Sequence, residues 1–125
     1  MLKQVLIAED SSVIQNITRR VLQFQNFDIV AVKNGQQVLD YLESNNCDII
    51  LMDISMPVMD GMECAGRIRQ LPDIKKATVP IVAITGNAKN YTMDDFRNAG
   101  INDYIQKPIN FDVLVETVRR LTNTQ

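Results

Sequence analysis

Three short apolar runs constrain this chain most: Val5-Leu6-Ile7-Ala8, Asp48 to Met52 (DIILM) and Pro80 to Thr85 (PIVAIT). Each is nearly unbroken, where a half-exposed strand would alternate apolar and polar residues. A strand without a polar face must be covered on both sides, as in a parallel sheet sandwiched between helices. Asp28 to Val32 (DIVAV) and Asn102 to Ile105 (NDYI) supply a second and a weaker fifth strand. The segments between them carry helical spacing. Ser12 with Gln15 makes a capping box ahead of Ile14, Ile17 and Val21. Val38 and Leu42 sit four apart between Gly35 and Asn45, and Asp60 with Glu63 makes a second box, weakened behind by Gly66. Lys89 to Ala99 reads as a polar fourth helix, closed by Gly100 in a left-handed cap. Asn110 caps a last helix whose stripe is Phe111, Leu114, Val118 and Leu121. The alternation predicts a (βα)₅ three-layer α/β domain built on a parallel five-stranded sheet.

At 125 residues, with no internal repeat or long linker, residues 1–125 are expected to form one domain, too short for a catalytic unit plus a separate output unit. The 13 basic and 15 acidic residues give a net charge of -2, and the longest basic runs are the pairs Arg19-Arg20, Lys75-Lys76 and Arg119-Arg120. No nucleic-acid footprint is visible in that pattern. Cys47 and Cys64, 17 residues apart in a chain without histidine, match no zinc spacing and no redox pair. Cys47 opens the apolar run of the third strand and reads as a core residue in a reducing compartment. No stretch approaches the roughly 20 apolar residues of a membrane span. The start, MLKQVLIAEDSS, turns acidic before a signal-peptide core can form, so a cytoplasmic location is expected.

In an open parallel sheet the site forms beyond the carboxyl ends of the strands, where the strand order reverses. Here the first strand runs into Glu9-Asp10, the third into Asp53, the fourth ends in Thr85, and Lys107-Pro108 follows the fifth. Three carboxylates converging on one pocket repel each other and raise a pKa unless a cation joins them. An all-oxygen set without His or Cys favours a hard ion, Mg²⁺ over zinc. A carboxylate, a hard cation, a hydroxyl and an ammonium together suit phosphoryl transfer, with the carboxylate attacking phosphorus and the positive charges neutralising the equatorial oxygens.

Each residue also has an ordinary explanation. Glu9-Asp10 can be strand-end polar residues, Asp53 a turn residue before Pro57 and Gly61, Thr85 a β-branched strand end, and Lys107 an exposed lysine before proline. Four such coincidences on one sheet rim are much less expected than any one of them.

The motifs LIAEDS, MDISMPVMDG, PIVAITGN and DYIQKPI, in this order and spacing, resemble receiver (response regulator) domains of two-component signalling, from Val5 to about Leu121. The resemblance implies the flavodoxin-like strand order 2-1-3-4-5. It implies that Asp53 accepts the phosphoryl group and binds Mg²⁺ with Asp10, with Glu9 acting mostly through water and with the backbone carbonyl of Ser55. Thr85 matches the switch hydroxyl, Tyr104 the aromatic that changes rotamer with it, and Lys107 the phosphate-pairing lysine before a cis proline bond. Gly86 matches a position kept small for access. Glu9 stands where aspartate is more frequent, and Leu39 where many receivers carry alanine; neither removes a chemical group. The wording of MDISMPVMDG, ITGNA and AGINDYIQKPI looks more like receivers attached to hybrid histidine kinases than like transcription-factor receivers.

The resemblance further implies a signalling phosphoacceptor that assists its own phosphorylation and dephosphorylation and is not a dedicated enzyme. Its partners would be a histidine kinase or a histidine phosphotransfer domain. An output domain or a second copy would bind the face of the fourth helix, fifth strand and last helix, which offers Lys89, Tyr91, Asp95, Arg97, Asp103, Arg119 and Arg120. Those mixed charges suit protein more than nucleic acid. A contact module without turnover would fit better had Asp53 or Lys107 been lost. An aspartyl phosphatase of the haloacid-dehalogenase type needs a second aspartate where Ser55 stands. A flavin phosphate would be repelled by the acidic rim.

Overall fold

The computed structural model describes residues 2–86 and 90–124. The unbroken apolar runs become the strands β1 (Gln4–Ala8), β3 (Ile49–Asp53) and β4 (Ile81–Thr85), with β2 (Asp28–Val32) and β5 (Asp103–Gln106) at the edges. All pair in parallel in the order β2-β1-β3-β4-β5. Among the described residues the helices are α1 (Ser12–Phe24), α2 (Gly35–Ser44), α3 (Gly61–Arg69), α4 (Ile74–Ala77), α5 (Met93–Asn98) and α6 (Phe111–Leu121). Because strand side chains alternate faces, the runs feed two cores. Leu6, Ile50, Met52, Ile81 and Ala83 pack with Val38, Leu42, Ile68 and Phe96 of α2, α3 and α5. Val5, Ile7, Leu51, Val82, Ile84 and Ile105 pack with Leu22, Leu114 and Val118 of α1 and α6. Each of these side chains larger than alanine contributes about 1.5–3 kcal/mol by leaving water.

Several sequence expectations shift by a residue or by partner. Ser11, not Ser12, caps α1 by accepting from the Ile14 N–H at 3.3 Å, and the Gln15 side chain is used elsewhere. Asp60 caps α3 as expected, but Glu63 pairs with Arg67 at 3.0 Å instead of closing the box. Gly66 interrupts nothing, and α3 runs through it. The expected fourth helix is α5 and spans six residues, because Thr92 and Asp95 close a reciprocal capping box there; its expected start, Lys89, lies outside the described residues. Gly100 follows with φ +88°, the left-handed geometry expected of it. Asn102 is not a strand residue: its Oδ1 accepts from the Ile81 N–H at 2.8 Å and from Arg69 at 3.1 Å, so β5 starts one residue later. Helix α4 was not anticipated; Asp73 caps it. Cys47 is only half-buried at the core margin, while Cys64 is fully buried. Burial pushes both thiols up to about 12, which keeps them inert.

Candidate active site at the carboxyl rim of the sheet

The register of the strands brings the chemistry together. Ala8 partners Met52, so the next residues, Glu9 and Asp53, leave neighbouring strands side by side. Asp53 itself partners Ile84, Ile84 partners Ile105, and the Lys107 N–H donates to the Thr85 carbonyl at 2.8 Å beyond the β4–β5 ladder. Glu9, Asp53 and Lys107 thus continue the odd-numbered positions of β1, β3 and β5, which include Val5, Leu51 and Ile105 of the core under α1 and α6. The Lys107–Pro108 bond is cis.

Lys107 Nζ lies 3.1 Å from Glu9 Oε1 and 3.3 Å from Asp53 Oδ2, so one ammonium serves two carboxylates. Both carboxylates are buried, with Glu9 5% and Asp53 4% exposed. Each has a backbone donor as well: the Ser55 N–H reaches Asp53 Oδ1 at 3.1 Å and the Ser11 N–H reaches Glu9 Oε2 at 3.0 Å. Among the described residues one cation faces two anions, which leaves uncompensated negative charge. Burial, then the charge of Glu9, push the Asp53 carboxyl up to about 6, against the pull of Ser55 and Lys107. Burial draws the Lys107 ammonium down, but its hydrogen bond to Glu9 and the charge of Asp53 outweigh that and hold it above the usual lysine value.

The other expected residues divide. Thr85 ends β4, is buried, and sits beside the triad through its carbonyl. Ser55 contributes its N–H while its side chain is exposed. Asp10 is exposed at the mouth of the site and does not join the buried cluster. Tyr104 is 40% exposed and stacks on Phe96 at 5.2 Å, with Tyr91 5.6 Å from the same ring. Among the described residues, a Cβ on exposed Gly86 would meet Lys107 Cδ alone, at an ordinary 3.9 Å. On the expected output face, Arg120 pairs with Asp103 at 2.6 Å, but Arg119 turns to Gln25 at 2.6 Å and lies over Phe27. It belongs to the opposite end of the sheet.

Among the described residues no three His, Cys, Asp or Glu side chains are gathered closely enough to make a metal site alone. Mg²⁺ needs fewer, since it is commonly held by one or two carboxylates with retained waters. The all-oxygen donors, and two buried carboxylates sharing a single ammonium, fit that ion.

The loop after Asp53 is tight. The Met59 N–H donates to the Pro57 carbonyl at 2.7 Å, closing a three-residue turn around Val58, whose φ is +70°. A Cβ at Gly61 would stand 2.8 Å from the Asp53 carbonyl oxygen, so α3 can start here only from glycine. Gln15, 8% exposed, serves no cap; it donates to Glu9 O at 3.2 Å and Val32 O at 3.0 Å. A long amide on the buried face of α1, six residues after Glu9, was the available signal.

Residues 5–119 match the family described as response regulator receiver domain. Hybrid signal transduction histidine kinase I of Dictyostelium discoideum is 38% identical over 128 residues, taking in 98% of this chain and 7% of that kinase. The chain likewise spans 17% and 9% of two further kinases it matches. The polar-differentiation response regulator DivK of Brucella anthropi is 28% identical over 119 residues, 95% of both chains. Among solved structures, the receiver domain of a sensor histidine kinase from Pseudomonas aeruginosa PAO1, with a magnesium ion coordinated in its active site cleft, superimposes with a TM-score of 0.89. It is 30% identical and covers 99% of this chain and 100% of that one.

Proposed function

The chain belongs to the response regulator receiver domain family, the phosphoacceptors of two-component signalling, and from that premise we propose that Asp53 is its phosphorylation site. The observation that carries this is the buried Asp53 carboxylate at the carboxyl end of β3, 3.3 Å from Lys107. With a pKa of about 6 the carboxylate is still mainly ionised at neutral pH and can attack. Its oxygen forms the bond to phosphorus, and the bond from phosphorus to the donor's imidazole nitrogen breaks, the nitrogen keeping the electron pair. Lys107 can follow the charge from the carboxylate to a phosphoryl oxygen. The Thr85 hydroxyl is the candidate donor to another oxygen, and its movement, with Tyr104, is the proposed switch.

Glu9, Asp10, Asp53 and the Ser55 carbonyl are the residues we assign to Mg²⁺, which would supply positive charge for the phosphoryl oxygens. The donor is a histidine kinase or histidine phosphotransfer domain. The signal leaves through α5, β5 and α6 to an output domain or a second copy. We take residues 1–125 as one cytoplasmic receiver domain, a signalling phosphoacceptor without nucleic-acid binding of its own. No helix among the described residues is long and apolar enough to cross a membrane.

The test is incubation with acetyl phosphate and Mg²⁺, followed by mass mapping. One phosphoryl group on Asp53 is expected, absent from Asp53→Asn and in excess chelator. Asp10→Ala should bind Mg²⁺ more weakly by calorimetry. Full labelling of Asp53→Asn on another residue would end the assignment.

A further inference from the structure

Gln15 spends a buried side chain on the backbone of the site. It lies on the inner face of α1 with Thr18 and Leu22. Its Nε2 donates to the Glu9 carbonyl at 3.2 Å and to the Val32 carbonyl at 3.0 Å. The Val32 carbonyl also accepts from the Glu9 N–H at 3.1 Å. Glu9 sits one step past Ala8, which with Val32 makes the last pair of the β1–β2 ladder.

We infer that Gln15 is a positioning residue: by holding the Glu9 carbonyl it orients the Glu9-Asp10 peptide and so aims Glu9 at Lys107 and Asp10 at the mouth of the site. This rests on the reading of Asp53 as phosphoacceptor. A carbonyl past the end of a ladder has no strand partner and would otherwise turn freely about the last strand residue. Turning that peptide changes where the two acidic side chains leave the chain. An amide supplies two N–H donors, matching two carbonyls that helix α1 covers from water. The Ser11 N–H, 3.0 Å from Glu9 Oε2, steadies the carboxylate from the other end. Gln15 is thereby linked through Glu9 to Lys107 and on to Asp53, without touching the reacting atoms itself.

The bland role for Gln15 is to satisfy two buried carbonyls, which affects stability alone. The experiment separates the two. Wild type, Gln15→Met and Gln15→Arg are compared for acetyl phosphate labelling, for the Mg²⁺ midpoint of amide shift titrations, and for the urea midpoint. Gln15→Met keeps the volume and loses the donors. It should fold, label about tenfold more slowly, and need several-fold more Mg²⁺, the scale expected when one orienting hydrogen bond is lost. Gln15→Arg, which restores donors, should recover most of both. If Gln15→Met does not fold, Gln15→Leu takes its place with the same expectation, since it too removes the donors and adds no charge. A folded variant with wild-type labelling and the wild-type Mg²⁺ midpoint overturns the inference, however much stability it loses. Wild type that takes no label on Asp53 overturns the reading of the site, and the inference with it.

Discussion

Lys107 stands 3.3 Å from Asp53 across β4, joining the ends of β5 and β3, and it does so while its ammonium also holds Glu9 at 3.1 Å. The lysine is therefore shared before any phosphate arrives. A phosphoryl oxygen would compete with Glu9 for it as well as draw on Asp53.

Lys107→Met leaves two buried carboxylates without their cation. The Asp53 pKa should rise further above 6, since the lysine is one of the two groups now lowering it. Labelling by acetyl phosphate at neutral pH should fall by roughly 10²-fold, the usual cost of losing a charge-stabilising donor. Labelling within twofold of wild type would remove Lys107 from the mechanism.

Ionised Asp53 costs stability. A carboxyl of ordinary value 3.8 that sits at about 6 in the folded protein binds more protons folded than unfolded between those values. Stability therefore falls as pH rises through that window, and the whole cost is present above it. In chelator, Asp53→Asn should be the more stable protein at pH 7.5, by on the order of 2 kcal/mol. The gain should shrink as pH falls from 6 toward 4. Urea denaturation across this range checks it, and a gain independent of pH would place the cause elsewhere.

Tyr104 is held outward by its stack on Phe96, and Thr85 lies on the next position of the same sheet face, since Ala83 partners Tyr104 and Thr85 partners Gln106. If Thr85 moves to a phosphoryl oxygen it opens space that Tyr104 can fill only by leaving Phe96. A beryllofluoride mimic with Mg²⁺ should therefore shift backbone amides mainly in residues 85–106 and the start of α6, as a change in the balance of two states. Thr85→Ala should still take the mimic and transmit less. A shift map confined to residues 9–11 and 53–61 would defeat the switch.

Val58 is a β-branched residue held at φ +70°, and at 79% exposure it returns little packing. Val58→Gly should raise stability by about 1 kcal/mol, relief of the left-handed strain exceeding the extra freedom glycine brings to the unfolded chain. Thermal unfolding measures it, and a loss of stability would show that the turn is not strained at Val58.

The layers were legible in the amino-acid pattern. Runs such as Ile49 to Met52 have no polar side, so they had to be buried on both faces, and Asp60 and Asn110 start their helices through contacts within three residues. It also determined which polar groups reach the rim, because a strand's end is local. The strand order came from resemblance, and the structure agrees with it. Tertiary structure decided how the long side chains spend their donors. Lys107 is shared between Glu9 and Asp53, Gln15 leaves its cap for two carbonyls, Arg119 turns away to Gln25, and Tyr104 stays outside on Phe96. Except for Gln15 with Glu9 and Tyr104 with Phe96, these partners are distant in sequence. Their meeting depends on the register of the strands and the packing of helices over them, and a flexible lysine, arginine or glutamine has equally good local alternatives until that packing removes them.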